Sequence, residues 1–318
     1  MPGSLRSLEG ERPTEGLLRQ VHVAVQLSVF LNVALLGVKG LALYWSHSYA
    51  VLSSLVDTAV DLVNMCVLYA AEHAMARPTP RFPAGKTRLE PLAVMINAVL
   101  MCTLSLGVVQ VSVAGLWEGV KKGTGHPTLE ISPLTMGILA SAIVGKLVLF
   151  FVCNRLRKVS GTALALAEDH RNDALSNLTA VVTAGAAAHV PAAWWLDPTG
   201  AILISMYIIF SWFGILKEQA CFVIGETADS EMVADIRKII DEFHEHVECD
   251  QLRVYHSGRH FLCEIEIVMP RGTILEEVHD VSLELQHRVE QVHHIERAFV
   301  HVDYMVRDHL EHKEPRLL

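Results

Sequence analysis

Six stretches of this chain are apolar enough, for long enough, to cross a lipid bilayer, and that pattern limits what the rest of it can be. A hydrocarbon core of about 30 Å needs roughly 20 mostly apolar residues in a helix. Val21–Tyr44, Ala50–Tyr69, Leu92–Trp117, Leu134–Val152, Thr162–Val190 and Thr199–Leu216 meet that length. The fifth is interrupted near its start by Glu168, Asp169, His170, Arg171 and Asp173. Basic residues are shared unevenly among the connections. Tyr44–Ser48 has no Lys or Arg, Glu118–Pro133 balances two of each sign among Lys, Arg, Asp and Glu, and Val190–Asp197 carries one acid. The alternate connections hold His73, Arg77, Arg81, Lys86 and Arg88, and then Arg155, Arg157 and Lys158. Positive loops stay in the cytosol, so the pattern predicts six crossings with both termini cytosolic.

Charge divides the chain in two. Lys217–Leu318 holds 11 Lys and Arg against 22 Asp and Glu, together with 11 of the 17 histidines. The preceding 216 residues carry a balance near neutral, within a chain of net charge −9 and only 19% charged residues. A soluble protein has about a quarter. A single soluble globule is excluded, and so is a nucleic-acid binder, which needs a basic face. The six cysteines form no CxxC pair and no disulfide-like spacing. Met1–Arg19 is polar, without the short apolar core of a cleavable signal, so the first apolar helix is expected to direct insertion. The expected division is residues 1–20 as a cytosolic N-terminal segment, 21–216 as a transmembrane domain and 217–318 as a cytosolic domain.

After Lys217 the apolar period changes. Ser230–His246 has helical spacing of Met232, Ile236, Ile239, Ile240 and Phe243. Cys249–Ser257 and Phe261–Met269 alternate as strands do, with Phe261, Cys263, Ile265 and Ile267 on one face and Gly258 at the turn. Ile274–Val292 is helical again, with Leu275, Val278, Val281, Leu285 and Val289 on one side, and Arg297–Tyr304 reads as a last strand. The order α-β-β-α-β predicts a small α+β domain of ferredoxin-like type with an antiparallel or mixed sheet.

The informative residues are the acids inside apolar helices. A charge at the bilayer centre costs on the order of 3 kcal/mol or more. Asp57 and Asp61 lie in the second segment, Asp169 and Asp173 in the fifth, each pair four residues apart and hence on one helix face. Like charges so placed repel unless protons, basic residues or a cation neutralise them. Lys39 and Lys146 are the deep basic residues, too few for four carboxylates. Two facing pairs therefore read as a divalent-cation site made of oxygen ligands, suited to Mn²⁺, Mg²⁺, Ca²⁺ or Fe²⁺, whereas zinc sites usually include nitrogen or sulfur. His170 lies about 100° around the helix from Asp169 and should face away. Glu168–Asp173 also fits a solvated, cytosolic helix start. Asn32 is a further polar group at membrane depth. Membrane aspartates also occur in intramembrane aspartyl proteases, but those use one Asp from each of two helices, and no GxGD string is present.

Ser53-Ser54-Leu55-Val56-Asp57-Thr58-Ala59-Val60-Asp61, Gly85-Lys86-Thr87-Arg88-Leu89-Glu90-Pro91-Leu92 and the six-helix layout with its α+β tail resemble the cation diffusion facilitator family. Asp169-His170-Arg171-Asn172-Asp173 stands where zinc-type members carry HxxxD. It is similar to the manganese-type subgroup, which includes the plant metal tolerance proteins. So are Trp194-Trp195-Leu196-Asp197-Pro198-Thr199-Gly200-Ala201-Ile202-Leu203 and Glu296-Arg297-Ala298-Phe299-Val300-His301-Val302-Asp303. The resemblance implies a homodimeric Mn²⁺/H⁺ antiporter, not an enzyme, that exports Mn²⁺ from the cytosol by alternating access. Zn²⁺ and Fe²⁺ are the rival substrates, and no tightly bound cofactor is implied. Asp57, Asp61, Asp169 and Asp173 match its transport site, and Asn32 its first-helix asparagine. His279, His301 and Asp303 match positions that bind metal in the cytosolic domain of some members, although the strand histidine of that set is replaced here by Glu264 or Glu266. Some bacterial members also bind metal between the second and third helices, where this chain has Ala84 and His73. The subgroup implies an endomembrane setting such as Golgi or vacuole, and a plasma membrane also fits.

Overall fold

The structure, a computed structural model, describes residues 15–46, 49–75, 79–122, 133–189 and 194–306. The N-terminal segment to residue 14, Arg77, residues 47–48, 123–132 and 190–193 of the charge-poor connections, and residues 307–318 lie outside the described residues. The apolar segments form α1 (Glu15–Ser46), α2 (Tyr49–Met75), α3 (Leu89–Lys122), α4 (Pro133–Leu156), α5 (Gly161–His189) and α6 (Leu196–Ile224). Three stretches are long and apolar enough, over the described residues, to cross a membrane: Arg19–Ala42, Leu89–Lys121 and Leu196–Ile224.

The first compact unit ends at Ala220. Its buried core joins Val25 of α1, Met65 and Leu68 of α2, Val94 and Ala98 of α3, Cys153 of α4, Leu166 of α5 and Trp212 of α6. Phe30, Val111, Phe151, Phe210 and Phe213 point outward, as helices in lipid require. The central helix is α5. Every residue from Gly161 to His170 is buried, and α1, α2, α3 and α4 all pack against it. Small side chains at Ala163, Ala165 and Ala167 permit that close approach. The solvated reading of Glu168–Asp173 is therefore wrong at Glu168, Asp169, His170 and Asn172, all of which are buried.

The second unit, from Cys221 onward, contains α7 (Ser230–Asp241), β1 (Glu248–Ser257), β2 (His260–Val268), α8 (Leu275–Glu290) and β3 (Ile295–Asp303). The three-stranded sheet has the order β1-β2-β3. β1 and β2 run antiparallel, with Ser257 facing His260 across a two-residue turn that Gly258 enters at φ +70°. β3 lies parallel to β2, which requires the crossover that α8 supplies. The sheet is mixed. Ile236 and Ile240 of α7, Val254 of β1, Cys263, Ile265 and Ile267 of β2, and Leu285 and Val289 of α8 form the core. Two expectations need correction. α7 stops at Asp241 instead of running to His246, and Leu275, expected on the apolar side of α8, is 83% exposed because it sits in the first turn, short of the sheet.

Candidate metal centre

The start of α5 is held from α3. The Glu90 carboxylate accepts hydrogen bonds through Oε1 from the Gly161 amide at 2.5 Å, the Thr162 amide at 3.3 Å and the Ser160 hydroxyl at 2.9 Å. The first amides of a helix have no partner within it, and a negative charge there also suits the helix dipole. Interleaved with the two aspartates along α5, Glu168 pairs with Arg171, and both bond Ser211 of α6. The charged run in α5 is thus divided in function. Glu168 and Arg171 fasten α5 to α6, while Asp169 and Asp173 turn the other way.

Asp61 of α2 and Asp169 and Asp173 of α5 converge, each offering a carboxylate oxygen within 4.8 Å of the other two. This is the only such group of three or more His, Cys, Asp or Glu among the described residues. Asp169 is 1% exposed and its Oδ1 has no hydrogen-bond partner among the described residues. A buried carboxylate oxygen left in that condition costs several kcal/mol unless a cation reaches it. Lys146 of α4 lies at the cluster, 3% exposed. Its Nζ donates to Asp61 Oδ2 at 2.9 Å and makes a close ion pair with Asp173 Oδ2. The deep lysines remain too few for four carboxylates, but this one ammonium bridges two carboxylates from different helices.

The other expected members are placed less centrally. Asp57 lies one turn from Asp61 on α2, is exposed, and stands outside the group of three. Asn32 of α1 is buried, donating to the Ser28 carbonyl at 3.2 Å and to Met65 Sδ at 3.4 Å, and its Oδ1 has no partner among the described residues. Met65 is one turn beyond Asp61, so Asn32 borders the cluster rather than entering it. Lys39 donates to Thr58 at 2.7 Å. His170 faces away from the aspartates, as its position on the helix predicts, and its Nε2 bonds the Ser28 hydroxyl at 2.8 Å. Among the described residues, no histidine or cysteine belongs to the carboxylate group.

Residues 25–220 match the cation efflux transmembrane domain, and residues 228–305 match the cytoplasmic domain of cation efflux proteins. The chain belongs to the cation efflux family. It is a transporter of divalent cations and a multi-pass membrane protein, not an enzyme. Metal tolerance protein 7 of Oryza sativa subsp. japonica is 34% identical over 313 residues, covering 96% of this chain and 78% of that relative. Metal tolerance protein 10 of Arabidopsis thaliana is 33% identical over 305 residues, 95% and 70% of the two chains. Metal tolerance protein 11 of Arabidopsis thaliana is 29% identical over 300 residues, 94% and 75%.

In the cation efflux cytoplasmic domain, His279 is exposed on α8 beside Asp280, while His301 and Asp303 lie on β3. The three do not gather as a ligand set within one chain. The cysteines do not complete one: Cys263 is buried, and burial beside Cys249 and Glu264 pushes its thiol up to about 12. A different histidine group stands near the start of β2, where His293 packs edge-on to His294 at 3.6 Å between centroids and His260 lies 6.2 Å away. Burial, with His293, His260 and Arg259 alongside, holds His294 down at about 4. Nothing in their sequence spacing marks these residues, because His260 and His294 meet only through the β2–β3 pairing.

Proposed function

We propose that this chain exports Mn²⁺ from the cytosol in exchange for protons, through a site formed by Asp61, Asp169 and Asp173. Asp57 serves as a fourth carboxylate one turn along α2, and Asn32 as a bordering ligand. The observation that carries the reading is the convergence of three acids from two helices inside an apolar unit, with Asp169 Oδ1 unsatisfied. The all-oxygen donor set favours a hard or borderline ion over Zn²⁺, and His170, the nearest imidazole in sequence, is engaged by Ser28. Fe²⁺ is the rival the same donors would accept. Carboxylates that release the ion on the far side need another cation, and protons returning down their gradient supply it.

Six crossings, cytosolic termini, a homodimer joined through the C-terminal domain and an endomembrane location complete the reading. The acidic tail raises the local cation concentration at the cytosolic mouth. The test is uptake of Mn²⁺ into proteoliposomes carrying an internal metal-sensitive dye, with and without an imposed pH gradient. Uptake should depend on the gradient, be inhibited by competing Fe²⁺ more than by Zn²⁺, and vanish in Asp61→Ala and Asp173→Ala. Gradient-independent flux, or full activity in either variant, would refute it.

A further inference from the structure

Lys146 brings into the metal centre a charge of the same sign as the cargo. Its ammonium is the donor to Asp61 of α2 and the close partner of Asp173 of α5. The carboxylates it holds are two of the three that converge. Two oxygens bound to one divalent ion at about 2.0–2.6 Å lie roughly 4–5 Å apart at most, close to the 4.8 Å span of the group. Ammonium and ion thus claim the same two carboxylates.

We propose that Lys146 is a tethered cation that takes the metal's place between Asp61 and Asp173 in the empty carrier and must swing aside for the metal to bind. The inference rests on those aspartates being the transport site. It follows from charge and geometry together. Empty, the three carboxylates would repel across α2 and α5, and the ammonium draws them together. Loaded, a divalent ion repels the ammonium at close range, and the flexible four-carbon stem lets it withdraw.

A tether also sets selectivity. The ammonium is covalently present at an effective concentration of millimolar or more. A monovalent ion replaces one positive charge by another and gains little. A divalent ion brings a second charge and wins. Lys146 therefore weakens binding of every cation, and weakens it most for the singly charged ones that are abundant in any cell. Lys39, the other deep lysine, donates to Thr58 beside Asp57.

The test measures Mn²⁺ binding by equilibrium dialysis on the full chain in detergent at fixed pH, with and without Na⁺ or K⁺ at constant ionic strength. Lys146→Met removes the charge at near-constant volume, and Lys146→Gln is a second charge-free variant should the first fail to fold. Both should bind Mn²⁺ at least tenfold more tightly than wild type, and Na⁺ or K⁺ should now compete. Lys146→Arg, which keeps the charge, should bind no tighter than wild type. Charge-free variants that bind Mn²⁺ as weakly as wild type, or more weakly, overturn the proposal while leaving the transport site standing if Asp173→Ala abolishes binding. Unchanged binding in Asp173→Ala removes the site itself, and the proposal with it.

Discussion

Glu90 lies far from the aspartates in sequence, yet its loss should loosen the helix that carries two of them. One carboxylate oxygen receives the Gly161 and Thr162 amides and the Ser160 hydroxyl. A hydrogen bond to a charged group contributes about 1.5–3 kcal/mol, and a carboxylate at a helix start adds about 0.3–1 kcal/mol through the dipole. The three bonds share one acceptor and cannot be summed in full, so Glu90→Ala should cost about 3 kcal/mol. Glu90→Gln keeps a carbonyl oxygen and loses the charge, so about 1 kcal/mol is expected. At roughly 2–4 °C per kcal/mol for a unit of this size, the melting temperature in detergent should fall about 6–12 °C for Ala and about 2–4 °C for Gln. Tryptophan fluorescence reports it, since buried Trp212 sits in the same core. Asp169 and Asp173 lie about 12 and 18 Å further along the helix axis, so Mn²⁺ binding at low temperature should change far less than stability. A wild-type melting temperature in Glu90→Ala, or equal losses in the two variants, would refute this account.

Other perturbations separate packing from chemistry. A Cβ at Gly200 would meet Thr183 Cγ2 at 2.8 Å and Thr179 Cγ2 at 3.1 Å, so Gly200→Val should destabilise by about 1–3 kcal/mol, seen as a lower melting temperature of the full chain. Leu285 is fully buried between α8 and the sheet, and Leu285→Ala should cost about 2–5 kcal/mol in urea denaturation of the C-terminal unit. His294 is held at about 4 against an ordinary 6.5. Its contribution to stability is complete above pH 6.5 and is lost as pH falls towards 4, because the unfolded chain takes up the proton first. Partial exposure reduces the loss to about 1–2 kcal/mol. His294→Asn, which tolerates the residue's φ of +70°, should flatten that acid limb in thermal melts of the C-terminal unit between pH 7.5 and 4.5.

Much of this was legible in the sequence because two periods carry it. Bilayer-length apolar runs marked α1 to α6, and alternation at Cys263, Ile265 and Ile267 marked β2, all three being buried as the pattern requires. Asp61, Asp169 and Asp173 stood out because acids are costly in apolar helices. Partnership across helices was not legible. Lys146 was visible as a deep lysine, but nothing in the local spacing of α4 says that it reaches Asp61 and Asp173. Glu90 reads as an ordinary acid at the start of α3, and its role depends on where α5 begins in space. Asp57 shows the converse limit. The four-residue spacing puts it on the face of Asp61, but only the second carboxylate joins the group.

The burial of the ten residues that open α5 has a consequence for how the membrane can influence transport. Outward-facing side chains such as Phe30, Val111 and Phe213 lie on α1, α3 and α6, whereas Gly161–His170 has no outward face at all. Bilayer thickness, headgroup charge and acyl-chain order act on surfaces they touch. A change of lipid can therefore tilt or squeeze the outer helices, but it reaches Asp169 only after passing through them. Asp169, so insulated, would hold its place in membranes of different composition, and lipid would alter the outer helices before it altered that carboxylate.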